Sequence, residues 1–360
     1  MSLSVNLQHS FEGFELNAEF TAPQGLTVLF GASGSGKTTI VNAIAGLLRP
    51  MSGRISLDEQ LLLDTGAGIN LPSHKRKLGY IFQEGRLFPH LTVRQNLLYG
   101  RWFSGAKQES PDFNHTVELL GVEHLLDRRP ATLSGGEKQR VAIGRALLAA
   151  PAMILADEPL ASLDAARKAE ILPCFERLRD ESSIPIVYVS HSATEVARLA
   201  TTVVALQEGA VMGQGTAAEV LGDPTLMPLG VRSAGAVLET RIAAQHEDGL
   251  TELSAAGISL FVPRLEQAEG TSVRVRIPAQ EVILSLAPPV GLSALNVIKG
   301  RIEAVREGAG PGAMVSVATN AGRLLARVTQ RSVATLNLSP GRDCYAIIKT
   351  VAIAPEDIGA

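Results

Sequence analysis

The run Gly31-Ala32-Ser33-Gly34-Ser35-Gly36-Lys37-Thr38 fits the pattern G-x-x-x-x-G-K-[ST]. The apolar run Leu26–Phe30 precedes it and reads as a buried strand, and Lys37–Leu48 reads as a helix. Between such elements the glycines let the backbone bend until several N–H groups point at one anion, and the helix start adds positive partial charge. Lys37 is then a candidate for the β- and γ-phosphate oxygens of a nucleotide, Thr38 for Mg²⁺, and Thr39 for the rest of the phosphate-binding set.

A second group of polar residues ends apolar runs. Ala152–Ala156 leads into Asp157-Glu158. A carboxylate at the end of a buried strand is costly unless something compensates it. Mg²⁺ at the phosphate site compensates Asp157, which leaves Glu158 to take a proton from an attacking water. His191 ends Ile186–Ser190 and is a candidate for the γ-phosphate; Gln83 follows Leu78–Phe82 and is bland in isolation. Each reads more plainly on its own: Asp157-Glu158-Pro159 as a strand cap, His191 as a strand-end residue. A third element, Leu133-Ser-Gly-Gly-Glu-Lys-Gln-Arg140, places Ser134 as an N-cap. The helix start at Ser134, Gly135 and Gly136 is a second phosphate-binding surface, separate from the first loop.

These residues need a scaffold, and the chain supplies two textures. Up to about residue 230, short apolar runs (Leu26–Phe30, Met153–Ala156, Ile186–Val189) alternate with helical stretches (Lys37–Leu48, Gly135–Ala149, Ala165–Glu181), which predicts an α/β domain with a largely parallel sheet. Beyond it come β-rich runs at Ala236–Ile242, Ser272–Ile277, Val297–Val305, Met314–Ala318, Leu324–Val328 and Cys344–Ile353, with turns at Glu247–Gly249 and Gly308–Gly312. That predicts a small all-β barrel. Arg241-Ile-Ala-Ala and Arg301-Ile-Glu-Ala echo each other, as two related β modules or as chance likeness between amphipathic strands.

Composition sets the bounds. A chain of 360 residues exceeds one ordinary core, and a net charge of −3 gives no electrostatic case for nucleic acid. Cys174 and Cys344 stand far apart, with no metal or disulfide spacing, which suits free thiols in a reducing cytoplasm. The opening residues alternate like a strand rather than a leader, and the apolar stretch Val282–Ile298 is broken by Pro288, Pro289 and Gly291. A soluble protein is expected; if it serves transport, another chain supplies the channel.

With the motifs together, residues 1 to about 230 resemble the ABC ATPase family. Gly31–Thr38 is similar to its Walker A loop, Gln83 to the Q-loop glutamine, which implies a part for Gln83 in metal binding and chemistry, and Leu133–Arg140 to the signature. Asp157 and Glu158 resemble the Walker B aspartate and catalytic glutamate, Ser162–Asp164 the D-loop, and His191 the switch histidine. The resemblance implies a P-loop NTPase fold, ATP and Mg²⁺ as ligands, and a head-to-tail homodimer. In such a dimer Ser134, Gly135 and Gly136 of one copy cover ATP on the other, and the Gln83 region passes motion to a membrane subunit. The family's adenine-stacking aromatic falls on Phe11, with Phe14 as substitute.

Pro72–Arg76, Gly79–Gln83 and Leu87–Val93 resemble the importer branch. Glu84–His90, Leu172-Pro173, Val189–Ser192 and above all Ser293–Gly300 resemble the ATPases of molybdate importers, the last opening an OB-like, Mop-type β domain. The expected division is an ATPase domain at 1–230, a linker and β-rich segment at 231–290 and the Mop-type domain at 291–360. The implied role is ATP hydrolysis driving molybdate import, peripheral to the cytoplasmic face of the membrane, with two permease copies and a separate extracytoplasmic binding protein. Sulfate or another solute, a soluble ABC ATPase, and a non-catalytic anion sensor are the competing readings. Molybdate-binding members often carry Arg where this chain has Leu295, which offers an oxyanion no donor. Ser293, Asn296 and Lys299 remain as candidate donors, and weak or no anion binding is expected.

Overall fold

The computed structural model describes residues 1–104, 112–230, 233–308 and 310–359; residues 231 and 232 at the expected domain boundary, Ala309 of the expected turn and Ala360 lie outside them. The chain forms two compact units: Met1–Ser192 with Leu199–Gln214, and Ala193–Arg198 with Gly215–Ala360.

The first unit contains β1 (Leu3–Phe11), β2 (Phe14–Ala22), β3 (Leu26–Gly31), α1 (Lys37–Ala45), β4 (Ser52–Leu57), β5 (Gln60–Asp64), β6 (Ile69–Asn70), β7 (Leu78–Ile81), α2 (Val93–Ser104), α3 (Phe113–Leu120), α4 (Gly135–Leu148), β8 (Met153–Asp157), α5 (Ala165–Glu181) and β9 (Ile186–Ser190). Helix α6 (Ala193–Leu199) leads on to β10 (Thr202–Gln207) and β11 (Ala210–Gly215). The strands make one eleven-stranded sheet in the order β6-β5-β4-β1-β2-β11-β10-β3-β9-β8-β7.

Burial follows position in this sheet. Every residue of β3 is buried, as suits a strand between the parallel neighbours β10 and β9, whereas the antiparallel β1 and β2 alternate buried and exposed. The parallel strands β3, β9 and β8 therefore end together at one edge, where Gly31, His191 and Asp157-Glu158 follow. Helix α1 stops at Ala45, short of the expected Leu48. Gly46 takes the left-handed conformation (φ 75°), and its N–H closes on the carbonyls of Ala43 and Asn42. Arg76, fully buried, donates to the carbonyls of Ala43, Ile44 and Leu71 and to Asn70 Oδ1, so it caps the same helix end.

The second unit adds α7 (Ala217–Leu221), β12 (Gly235–Gln245), β13 (Leu250–Ala255), β14 (Ile258–Pro263), β15 (Ser272–Pro278), β16 (Val282–Ser285), β17 (Asn296–Glu307), β18 (Gly312–Thr319), β19 (Gly322–Thr329), α8 (Gln330–Leu336), β20 (Asp343–Ile348) and β21 (Ile358–Gly359). Its two five-stranded sheets run β14-β13-β12-β15-β21 and β19-β18-β17-β20-β16. The echo between Arg241 and Arg301 has a structural counterpart: β12 is bulged between Ile242 and Ala244, and β17 between Ile302 and Ala304. The Ile242 N–H reaches Thr271 O as the Ile302 N–H reaches Arg342 O. The halves also trade strands. β16 follows β15 in the chain but pairs with β20, and β21 follows β20 but pairs with β15. One apolar core draws on both sheets, including Leu238, Val275, Ile298 and Val317. The hairpin β13–β14 had no counterpart among the expected runs, and β20 ends at Ile348 rather than Ile353, where a 3₁₀ turn begins at Thr350. Cys174 and Cys344 are buried free thiols, both pushed up from the usual thiol range by burial. Among the described residues no helix is long and apolar enough to cross a membrane.

Candidate active site

The loop between β3 and α1 is shaped by backbone constraints. Gly34 and Gly36 have φ of 82° and 97°, which L side chains rarely adopt, and a Cβ on Gly31 would lie 2.4 Å from Leu206 O on β10. Ala32, Ser33, Gly34 and Thr38 are exposed at the loop's mouth, Ser35 and Lys37 are buried, and Gly36 and Thr39 are half-buried. Lys37 Nζ turns back to donate to Gly31 O (2.9 Å) and Ala32 O (2.7 Å), with a longer contact to Ser35 Oγ (3.5 Å). Burial holds its ammonium below the usual lysine range, against the pull of Glu158 and Asp157.

The ends of β8 and β9 meet this loop. Thr38 Oγ1 donates to Asp157 Oδ1 at 3.0 Å, and Tyr80 Oη lies 3.3 Å from Asp157 Oδ2 and 3.1 Å from Asn42 Oδ1. Burial raises the Asp157 carboxyl, while the bonds from Thr38 and Tyr80 oppose it; burial, reinforced by the Asp157 charge, raises the Tyr80 phenol. Glu158 stands between two bases: Oε1 is 3.9 Å from Lys37 Nζ and Oε2 is 3.3 Å from His191 Nδ1. Its backbone is left-handed (φ 45°), a conformation that costs a non-glycine residue about 1 kcal/mol or more.

The structure thus brings Lys37, Thr38, Asp157, Glu158 and His191 together. Gln83 is exposed in the loop after β7, whose Ile81 pairs with Ala156 beside Asp157; among the described residues no hydrogen bond joins it to the cluster. Phe11 is 45% exposed at the tip of the β1–β2 hairpin, opposite Phe14 and edge-on to His9. Phe14, the substitute, reaches the loop itself: its ring would lie 3.3 Å from a Cβ on Gly36. Ser134 caps α4 in a full capping box, its Oγ accepting from the Glu137 N–H and its N–H donating to Glu137 Oε2. Gly135 and Gly136 pack toward Leu163, Arg167 and Ile171, and no hydrogen bond among the described residues links them to the phosphate loop.

Four contributors escaped the sequence reading: Arg76, Tyr80, Gln139 and Arg145. Gln139 Nε2 donates to Phe82 O, and Arg145 donates to Gly85 O and Arg86 O, so α4 grips the Gln83 loop from both sides. The tail of the Lys-Gln-Arg run was the only available hint, since each acceptor lies more than fifty residues away. In the second unit Asn296, a candidate oxyanion donor, is otherwise engaged: Oδ1 accepts from the Phe261 N–H (2.6 Å) and Nδ2 donates to Phe261 O (2.9 Å). Fully buried, it pairs with β14 as a strand residue would. Ser293, Leu295 and Lys299 are exposed.

Known proteins are similar to this chain. The ABC transporter family model matches residues 16–161, and the TOBE domain model matches 292–355. The chain is 50% identical to the Molybdenum import ATP-binding protein ModC of Mesorhizobium japonicum, covering 100% of this chain and 98% of that protein. It is 50% identical to the protein of the same name from Rhizobium meliloti (98% and 99%) and 45% identical to that from Paramagnetospirillum magneticum (99% of each). Among solved structures it is similar to cbiO1 from Clostridium perfringens, part of the ABC transporter complex cbiONQ, with a TM-score of 0.51 and 28% identity over 62% of this chain and 92% of that one.

Proposed function

The chain belongs to the ABC transporter family, among the molybdenum import ATP-binding proteins, and from that premise we propose that it hydrolyses ATP to drive molybdate import as the motor of a membrane importer. The observation that carries the reading is the Glu158 carboxylate held between Lys37 and His191 at the mouth of a phosphate loop.

The loop N–H groups and the start of α1 bind the phosphates of ATP. Lys37, whose contact with Ser35 is the weakest of its three, turns that proton toward the γ-phosphate. Glu158 takes the proton of the attacking water, and His191, its Nδ1 3.3 Å from the carboxylate, steadies that carboxylate and faces the departing phosphate. The Thr38 hydroxyl and the Asp157 carboxylate fit Mg²⁺. They are hard oxygen donors already in contact, and Asp157 is a part-buried carboxylate short of positive charge. With Gln83 they would hold the ion, which when bound would supply charge neutralisation to the transferring phosphoryl group. The exposed ring of Phe11 serves adenine.

Ser134, Gly135 and Gly136 complete the nucleotide site of a second copy, so two ATP molecules join a homodimer and hydrolysis parts it. Residues 1–230 carry this motor, and 231–290 and 291–360 the accessory β structure. An integral permease in two copies, loaded by an extracytoplasmic binding protein, holds the motor at the cytoplasmic membrane face. The decisive test is uptake of labelled molybdate and labelled sulfate in source cells with the native gene or Lys37→Ala at the same locus. Loss of molybdate uptake with sulfate uptake intact is expected; unchanged molybdate uptake, with no redundant importer, removes the substrate assignment.

A further inference from the structure

The sheet β19-β18-β17-β20-β16 of the second unit does not close on itself: β16 and β19 are its two edges, and no strand pairing joins them. Residues of both edges and of α8 line one cavity of about 500 Å³, a volume in the range of small-molecule sites. Its walls are apolar. Val282 and Leu284 come from β16, Val328 from β19, Leu336 from α8, and Leu338 follows that helix. Alternation along β16 makes its share of the wall, since Val282 and Leu284 are buried while Ile283 between them is 56% exposed. The one charged side chain in the lining is Arg327 of β19.

Arg327 is half-buried, and among the described residues it makes no hydrogen bond and no ion pair. The other arginines of β17 and β19 each face a carboxylate: Arg301 has Asp343, Arg306 has Asp223 and Arg323 has Glu303. The Arg327 guanidinium lies beside Gly312 of β18, where a Cβ would stand 3.8 Å from Nε and 4.0 Å from Nη2, so no side chain covers that flank. Thr329 and Ser332 also line the cavity, but they are engaged with each other. Their hydroxyls are 2.8 Å apart, and the Ser332 N–H donates to Thr329 Oγ1 as the cap of α8. An apolar cavity with one unmatched cation calls for a ligand of both characters. A plain hydrocarbon leaves the guanidinium unanswered, and a small hydrated anion must shed water against walls that return nothing for it. A carboxylate with a hydrocarbon tail uses both features, through a charge-assisted, two-pronged bond and burial of the tail. We propose that this seam is a binding site for a small amphipathic monoanion, a carboxylate carrying a hydrocarbon tail, with its head on Arg327 and its tail against Val282, Leu284 and Leu336.

The experiment is equilibrium dialysis of labelled octanoate against the full chain without nucleotide, with acetate as the probe of charge alone and octan-1-ol as the probe of tail alone. Wild type is expected to bind octanoate saturably, and acetate and octanol at least about tenfold more weakly. Arg327→Gln is expected to weaken octanoate about tenfold or more, as loss of a hydrogen bond between charged groups does, and to leave octanol unchanged. Ser332→Glu adds a carboxylate to the lining at the third residue of α8, where it also answers the Thr329 cap, so the fold is kept while octanoate is repelled by a similar factor. Circular dichroism checks that both variants are folded. Absence of saturable octanoate binding in wild type overturns the inference. So does equal octanoate affinity in Arg327→Gln, or acetate bound as tightly as octanoate, which would make the cavity a plain anion site. ATP takes no part in these measurements, so their failure leaves the proposed function standing.

Discussion

The phosphate loop and the segment at Asn296 are both marked by short motifs, and the fold uses their polar atoms in opposite ways. At the loop, Lys37, Glu158 and His191 face one another at 3.3–3.9 Å. The Glu158 carboxylate reaches side chains on two other elements, and Lys37 keeps one weakly engaged N–H beyond its bonds to Gly31 O and Ala32 O. At Asn296 the amide is consumed by Phe261, donor to acceptor and acceptor to donor. A motif points to chemistry when its polar groups converge with capacity left over, and to architecture when each atom is already matched.

The largest effects fall at the loop. Lys37→Ala is expected to lower ATP turnover by about 10³-fold or more, and Glu158→Gln by about 10²–10⁴-fold while nucleotide still binds and dimers accumulate. Normal hydrolysis in the Gln variant would remove Glu158 as the base. Next comes Asn296→Ala, which strands a part-buried N–H and C=O on Phe261 and is expected to cost about 1–3 kcal/mol in denaturant unfolding. Equilibrium dialysis of molybdate against the full chain should be the same for wild type and this variant. Molybdate binding that vanishes with Asn296 while stability holds would break the comparison.

Ser134→Ala sharpens it, because that hydroxyl serves both purposes. Loss of the cap is expected to cost about 1 kcal/mol of stability, with ATP-dependent dimerisation weakened as well. The smallest effect belongs to Tyr80→Phe, which removes one donor from Asp157. That donor favours the charged carboxylate, so its loss raises the Asp157 pKa and moves the acid limb of the kcat–pH profile upward, with about a threefold loss near neutrality.

The convergence of Lys37, Thr38, Asp157 and Glu158 was legible because its signals are local. The loop needs adjacent glycines, Asp157 and Glu158 directly end an apolar run, and the Ser134 cap is answered by Glu137 within one turn. What stayed hidden depends on partners remote in sequence. Arg76 gives no sign that it will cap α1, nor Gln139 and Arg145 that they will seize the carbonyls flanking Gln83. Local chemistry also shortened α1, where Gly46 stops a helix that the apolar pattern would extend. In the β unit the strand runs were readable by alternation, but their pairing was not: nothing in β16 or β21 shows that each closes the other half's sheet.

That reciprocal closure governs where this chain tolerates a cut. A fragment beginning after β16 leaves β20 with a bare edge of unpaired N–H and C=O groups, and a fragment ending before β21 does the same to β15. Each such edge is an invitation to a second molecule, which can lend the missing strand and reproduce between chains the pairing that the intact protein keeps within one. Truncation here therefore yields intertwined oligomers or aggregates rather than a smaller monomer.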